Sequence, residues 1–176
     1  MGTLLEIESG ILLWVQSIRT PALTTAFRAV TYLGEMGIFW VAMCLALICF
    51  RKHRRAGVMG LIALAAGFII CNLLLKNLVA RTRPYAVIEG LTAATVLPGD
   101  WSFPSGHATA SFAAATAIHL TEKGKWTVWL IIAAALVAVS RVYLGVHYLT
   151  DVLAGTLIGV MCAFISVKLI GKKIRI

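Results

Sequence analysis

Three short stretches of this chain carry side chains suited to nucleophilic, acid–base and anion-binding chemistry. They read Lys76-Asn-Leu-Val-Ala-Arg-Thr-Arg83-Pro84, then Pro104-Ser105-Gly106-His107, then Ser140-Arg141-Val-Tyr-Leu-Gly-Val-His147-Tyr-Leu-Thr-Asp151. Cationic groups neutralise a phosphate dianion, and an imidazole can attack phosphorus or move a proton. We therefore interpret the three stretches as parts of one phosphate site.

The third stretch holds the candidate nucleophile. If residues 147–151 are helical, His147 and Asp151 lie four positions apart and share one helical face. The carboxylate would then hold one ring nitrogen and leave the other free to attack phosphorus. Arg141 lies six residues before His147, so Gly145 is predicted to end the preceding helix and turn the chain.

The other two stretches supply a proton donor and anion-binding groups. Pro104-Ser105-Gly106 is predicted to begin a helix whose amides and Ser105 hydroxyl bind an anion, with His107 as general acid. Pro84 keeps Arg83 out of helical geometry, so its guanidinium can bind the same phosphate. We expect His147, His107 and Asp151 to carry the reaction. The predicted phosphate-binding residues are Lys76, Arg83, Ser105, Gly106 and Arg141.

Each feature alone also has a simpler explanation. A basic residue at a helix end can anchor it at the membrane surface, and Arg81 is interpreted in this way. Pro-Ser-Gly can be an ordinary helix cap, and a histidine–aspartate pair can join two helices. His107, His147 and Asp151 could instead bind zinc. The three nearby cations would repel a divalent metal, so no metal or other cofactor is expected.

The composition indicates an integral membrane protein. The 176 residues are 60% hydrophobic and 13% charged, with a mean hydropathy of +0.92, which is outside the soluble range and fits one membrane-embedded domain over residues 1–176. The net charge of +9 does not indicate nucleic-acid binding, because the basic residues sit between long apolar runs. The four cysteines lie within such runs and are interpreted as small hydrophobic side chains.

The apolar runs predict an all-α, polytopic helix bundle. Spans are expected near residues 23–50, 57–78, 107–121, 126–144 and 150–170, the first bent at 34–37. Residues 3–19 are amphipathic and predict an interfacial helix or a partial span. Ten of the sixteen Lys and Arg residues lie in 51–55, 123–125 and 168–175. The positive-inside rule places these segments in the cytoplasm and the three motif stretches at the outer face.

The three stretches resemble the type 2 phosphatidic acid phosphatase family, whose motifs are Lys-x6-Arg-Pro, Pro-Ser-Gly-His and Ser-Arg-x5-His-x3-Asp. Every defining position matches. The resemblance implies a six-helix bundle, metal-independent removal of phosphate from lipid phosphates, and sensitivity to vanadate. It also implies a phosphohistidine on His147, acid catalysis by His107 and phosphate binding by the five residues named above. The sixth helix is then expected from residues 3–19.

We therefore expect a lipid phosphatase of the plasma membrane that acts at its outer face. Undecaprenyl diphosphate, phosphatidylglycerol phosphate and phosphatidic acid are the alternative substrates. The expected partners are this lipid substrate and the surrounding membrane lipids, and no obligatory protein partner is evident. Two other functions stay open: a phosphotransferase that passes the phosphoryl group to another lipid, and a flippase or transporter that binds phosphate without hydrolysis.

Overall fold

The computed structural model describes residues 2–170, and the regular secondary structure of this range is helical without any strand. The α-helices are α1 (Gly2–Ser17), α2 (Pro21–Tyr32), α3 (Ile38–Cys49), α4 (Arg54–Phe68), α5 (Lys76–Val79), α6 (Gly106–Glu122), α7 (Val128–Tyr143) and α8 (Leu149–Ile165). Helices α2 and α3 form one bent unit, and α4 continues into α5. The described chain thus forms six helical units, as the resemblance implied.

The bend between α2 and α3 lies where the sequence predicted it. Thr20 caps α2 by accepting a hydrogen bond from the Leu23 amide (3.3 Å), and Pro21 occupies the first helical position. A 3₁₀ turn, Glu35–Gly37, then separates α2 from α3. Met36 and Gly37 have φ values of 47° and 70° within this turn. This left-handed backbone cannot continue an α-helix, so the chain bends.

A π-helical segment joins α4 to α5. It covers Ile69–Leu75 and leads directly into Lys76. The helix begins at Arg54 and ends at Val79, close to the predicted 57–78. The wider π turn changes the direction in which the following side chains point, and Lys76 is the first residue after it.

Helix α6 is the centre of the bundle and packs against α4, α7 and α8. It is rich in small residues, and Ala113, Ala114 and Ala115 are fully buried. Small residues allow helix backbones to approach closely in a membrane. A Cβ added to Gly155 or Gly159 of α8 would lie 2.5 Å from a backbone carbonyl oxygen of the α6 region. These glycines therefore hold α8 directly against α6.

Four stretches of the described chain are long and apolar enough to cross a membrane. They are Pro21–Cys49, Arg54–Ala86, Lys125–Tyr143 and Leu149–Lys168. These stretches confirm the expected polytopic, all-α membrane bundle. Helix α6, predicted as a span at 107–121, is formed but is not one of the four, because it has only 17 residues and these include two histidines, three threonines, a serine and a glutamate.

The motif residues and the basic loops lie at opposite ends of α6. The Pro-Ser-Gly-His stretch begins this helix, and Glu122 ends it. His53 Nδ1 lies 2.7 Å from Glu122 Oε2 and its ring contacts Trp126, so the two basic loops meet at this second end. Seventeen helical residues separate the ends by about 25 Å. Residues 172, 173 and 175, also predicted at the basic end, lie outside the described residues.

Candidate active site

A cavity of about 830 Å³ brings most of the predicted site residues together. Its wall includes six of the eight predicted residues: Lys76, Arg83, Gly106, His107, Arg141 and His147. Apolar side chains form another part of the wall: Met36, Val41, Leu61, Leu64 and Phe68. A charged group and an apolar chain could therefore occupy this cavity side by side.

His147 lies in the connection between α7 and α8, not on a helix. Gly145 has a φ of +73° and turns the chain after α7, as predicted. The predicted helical face shared by His147 and Asp151 is wrong, because Tyr148 is the N-cap of α8 and the helix begins only at Leu149. Asp151 Oδ2 accepts a hydrogen bond from the Tyr148 amide (3.0 Å). This cap, not helical spacing, brings the carboxylate close to His147.

The contacts of His147 identify which ring nitrogen carries the proton. Arg83 Nη1 lies 3.2 Å from His147 Nε2, and a guanidinium can only donate. The lone pair is therefore on Nε2, and the protonated Nδ1 lies 3.5 Å from Asp151 Oδ2. Burial lowers the pKa of His147 to about 4, aided by the charges of Arg83 and Arg141 and opposed by Asp151. The ring is thus neutral at neutral pH.

Lys76 and Arg83 share an acidic partner that sequence reasoning did not single out. Asp100 contacts Lys76 Nζ through Oδ2 and Arg83 Nη2 through Oδ1 (2.5 Å). Burial would raise the pKa of Asp100, but hydrogen bonds and charge from Lys76 and Arg83 outweigh it and lower the pKa to about 2. A carboxylate therefore lies between two of the cations predicted to bind phosphate.

Arg83 is held in the extended geometry predicted from Pro84. Its φ and ψ are −73° and 149°, and a short 3₁₀ helix begins at Pro84. Arg83 Nη1 donates to the Val146 carbonyl (2.7 Å), and Nε donates to the Asp100 carbonyl (2.8 Å). These bonds join the first and third motifs around a buried guanidinium that is 5% exposed.

The bend between α2 and α3 completes the wall near Arg141 and His107. Arg141, which is 3% exposed, donates from Nη1 to Thr31 Oγ1 (2.6 Å). His107 Nε2 lies 3.6 Å from Glu35 Oε2. A Cβ added to Gly34 would lie 2.7 Å from His107 Cδ2, so the bend packs directly on this ring. No sequence motif marked Thr31, Gly34 or Glu35 as site residues.

Ser105 links the first turns of α6 and α8 through hydrogen bonds and does not line the cavity wall. Its Oγ accepts from the Ala108 amide (3.5 Å) at the N-terminus of α6. Its own amide donates to the Asp151 carbonyl (3.0 Å) at the start of α8. Gly106, the next residue, does line the wall. In the second motif Gly106 therefore lies at the cavity, while Ser105 holds the starts of α6 and α8 together.

Arg81 does not act as a surface anchor, so that prediction is wrong. Its Nη1 donates to Asp151 Oδ1 (2.7 Å), and its Nη2 donates to Glu8 Oε2 (2.6 Å). Ser102 Oγ donates to the other carboxylate oxygen, Asp151 Oδ2 (2.5 Å). The sequence did contain a signal for Glu8, because an acidic residue in an apolar helix needs a buried partner.

The geometry favours chemistry on a phosphate carrying an apolar substituent. Three basic residues and two imidazoles line one cavity, and cations so arranged stabilise the charge on phosphate oxygens. Within residues 2–170 no three His, Cys, Asp or Glu side chains are clustered as metal ligands would be.

Comparison with known proteins agrees with this geometry. Residues 55–175 match the family model of the PAP2 superfamily. An undecaprenyl-diphosphatase from Sulfolobus acidocaldarius is 35% identical over 74% of this chain and 63% of its own length. A decaprenylphosphoryl-5-phosphoribose phosphatase from Mycolicibacterium smegmatis is 33% identical over 84% of this chain and 81% of its own.

A solved structure shows the same fold. The crystal structure of a transmembrane PAP2-type phosphatidylglycerolphosphate phosphatase from Bacillus subtilis superimposes with a TM-score of 0.81 at 26% identity. The superposition covers 99% of this chain and 89% of the other. The motifs, the helix arrangement and the family match lead to one conclusion: this chain belongs to the PAP2 superfamily.

Proposed function

We propose that this chain is an integral membrane phosphatase that removes phosphate from lipid phosphates or diphosphates through a phosphohistidine on His147. The observation that carries the proposal is the cavity itself. His147 presents an unprotonated Nε2 to a wall that also holds His107, three basic side chains and an apolar surface. The names of the relatives support the same class of reaction.

In the first step the lone pair of His147 Nε2 attacks phosphorus while the bond from phosphorus to the lipid oxygen breaks. His107 donates its proton to that leaving oxygen. The phosphoryl-bearing ring gains positive charge, which Asp151 stabilises from the Nδ1 side. Lys76, Arg83 and Arg141 stabilise the equatorial phosphate oxygens as phosphorus becomes five-coordinate.

In the second step a water molecule attacks the phosphohistidine. The phosphorus–nitrogen bond breaks, its electron pair returns to Nε2, and His107 accepts a proton from the water. Inorganic phosphate leaves, with His147 neutral and His107 protonated for the next cycle. The two steps consume one water and release one phosphate.

The substrate is proposed to be a lipid because apolar residues continue the phosphate site along the cavity wall. Undecaprenyl diphosphate, phosphatidylglycerol phosphate and phosphatidic acid all combine a phosphate with long apolar chains. The basic loops lie at the opposite end of α6, which supports an outward-facing site in the plasma membrane. We propose that residues 1–176 act as one membrane-embedded unit, since the described helices pack around α6.

Phosphate release from purified lipids in detergent tests this proposal. Wild-type protein should release phosphate from at least one of the three lipids, with chelator present, and His147→Ala should reduce the rate more than about a thousandfold. His119→Ala is the matched control, because His119 bonds Thr127 near the far end of α6. Absence of release from every lipid would contradict the proposal. Transfer of phosphate to a second lipid would instead indicate a phosphotransferase.

A further inference from the structure

An ionic network with two buried carboxylates connects the first helix to the carboxylate behind His147. Arg81 lies between two carboxylates, 2.7 Å from Asp151 and 2.6 Å from Glu8. Asp151 is fully buried and Glu8 is 2% exposed. The Arg81 guanidinium also stacks on the ring of Tyr148 at 3.7 Å. Tyr148 directly follows His147, so Arg81 contacts both the next residue in the chain and the carboxylate that faces the ring.

Glu8 also holds the helix that carries Asp151. Its Oε1 accepts from the Thr150 amide (3.0 Å) and from the Thr150 hydroxyl (2.7 Å). This amide belongs to the first turn of α8, where a carboxylate is favoured by the helix dipole. Glu8 lies in α1, which precedes the segment matched by the family. A helix outside the three motifs thus reaches the start of α8.

We propose that Glu8 and Arg81 are positioning residues for the reaction, which keep the Asp151 carboxylate aimed at His147 Nδ1 and so make α1 part of the active site. This inference rests on the proposed phosphatase function. Neither residue lines the cavity, so both act through Asp151 and not on the phosphate. A displacement of about 1 Å at such a position costs up to about a hundredfold in rate.

The charges of Glu8, Arg81 and Asp151 predict which substitution reduces turnover most. Arg81→Ala leaves two buried carboxylates without their shared cation, so Asp151 loses both a donor and its counter-charge. Glu8→Gln keeps one side-chain oxygen for Thr150 and loses the charge and the hydrogen bond from Arg81 Nη2, while Arg81 can remain on Asp151. The arginine change should therefore reduce turnover more than the glutamate change. Arg81→Lys keeps the cation and should restore part of the loss.

Two other residues of α1 provide matched controls. Glu6 is an exposed carboxylate on the same helix, so Glu6→Gln repeats the charge change away from the network. Gln16 holds α1 against the loop that contains Gly90 and Thr92, with bonds of 2.8 and 2.7 Å. Gln16→Ala loosens the docking of α1 without touching Asp151, and so tests a merely structural role.

The experiment measures kcat, KM and inhibition by vanadate for the wild type and these variants in detergent. We expect kcat to fall about 10- to 100-fold for Arg81→Ala and about three- to tenfold for Glu8→Gln. KM and the vanadate inhibition constant should stay within about twofold, because the phosphate-binding groups are unchanged. Glu6→Gln and Gln16→Ala should retain wild-type kcat.

Three outcomes would overturn the inference while wild-type activity stands. They are unchanged kcat in Glu8→Gln and Arg81→Lys alike, an equal loss in Gln16→Ala, and a loss of vanadate binding parallel to the loss of kcat. If Arg81→Ala does not fold, Glu8→Gln and Arg81→Lys decide the question. An inactive wild-type protein would contradict the proposed function itself.

Discussion

Arg81 and Arg83 stand two positions apart in one motif, yet the fold gives them different surroundings. Arg83 points into the cavity, where it contacts Asp100 and the Nε2 atom of His147. Arg81 points to the other side of that histidine, where it contacts Asp151 and Glu8. The two guanidiniums thus act on the two sides of His147, one facing phosphate and the other facing the carboxylate.

This difference shows that charge at a helix end does not define a role by itself. The backbone has left helical geometry at both arginines, since Ala80, directly before Arg81, has a φ of 47° and Arg83 is extended before Pro84. The side chains diverge as a result. A residue that binds phosphate should change substrate binding and vanadate inhibition, whereas a residue behind the carboxylate should change turnover alone.

Among the three arginines near His147, Arg83 should have the strongest effect when it is replaced. Arg83→Ala should lower kcat/KM by about 100-fold or more, because a buried cation facing the phosphate is lost and Asp100 loses a partner. Vanadate inhibition should weaken in parallel, which distinguishes Arg83 from Arg81. Unchanged vanadate inhibition in Arg83→Ala would remove the distinction between the two arginines.

Disturbing a third arginine, Arg141, should have a smaller effect on phosphate binding and turnover. Arg141 donates to Thr31 Oγ1 at 2.6 Å, and Thr31→Val removes this acceptor while nearly keeping the side-chain volume. A less firmly held Arg141 should weaken both phosphate binding and turnover, by about tenfold in kcat/KM. Steady-state kinetics with vanadate as inhibitor checks this, with Thr25→Val, an exposed threonine of the same helix, as the control.

The smallest predicted effect is tighter binding of inorganic phosphate when Asp100 is replaced. Asp100 forms ion pairs with Lys76 and Arg83, the side chains that are proposed to bind phosphate, and should compete with it. The Asp100 side chain is 52% exposed. Asp100→Asn should therefore strengthen inhibition by inorganic phosphate about two- to fivefold. Because Lys76 and Arg83 hold the pKa of Asp100 at about 2, the carboxylate stays charged from mildly acidic to mildly alkaline pH. The gain should be constant over that range, and weaker phosphate inhibition would show that Asp100 does not compete.

The motifs and hydropathy predicted the helix bundle, and six of the eight predicted site residues line the cavity, because motif spacing and apolar runs are local features. Arg81 was misjudged because its partner Glu8 lies 73 positions away, and no local rule pairs them. The helical prediction for His147 failed because Asp151 caps the Tyr148 amide and delays the start of α8. Asp100 lies in a polar loop, where nothing in the sequence distinguishes it from a solvated aspartate.

If His147 itself becomes phosphorylated during turnover, the phosphorylated protein can be detected directly. Wild-type protein mixed with a lipid carrying labelled phosphate and denatured during turnover should retain label on His147 in an acid-labile bond. His147→Ala should retain none, whereas Arg81→Lys should still become labelled. Phosphate release without any labelled protein, or label on His107 instead, would contradict the account.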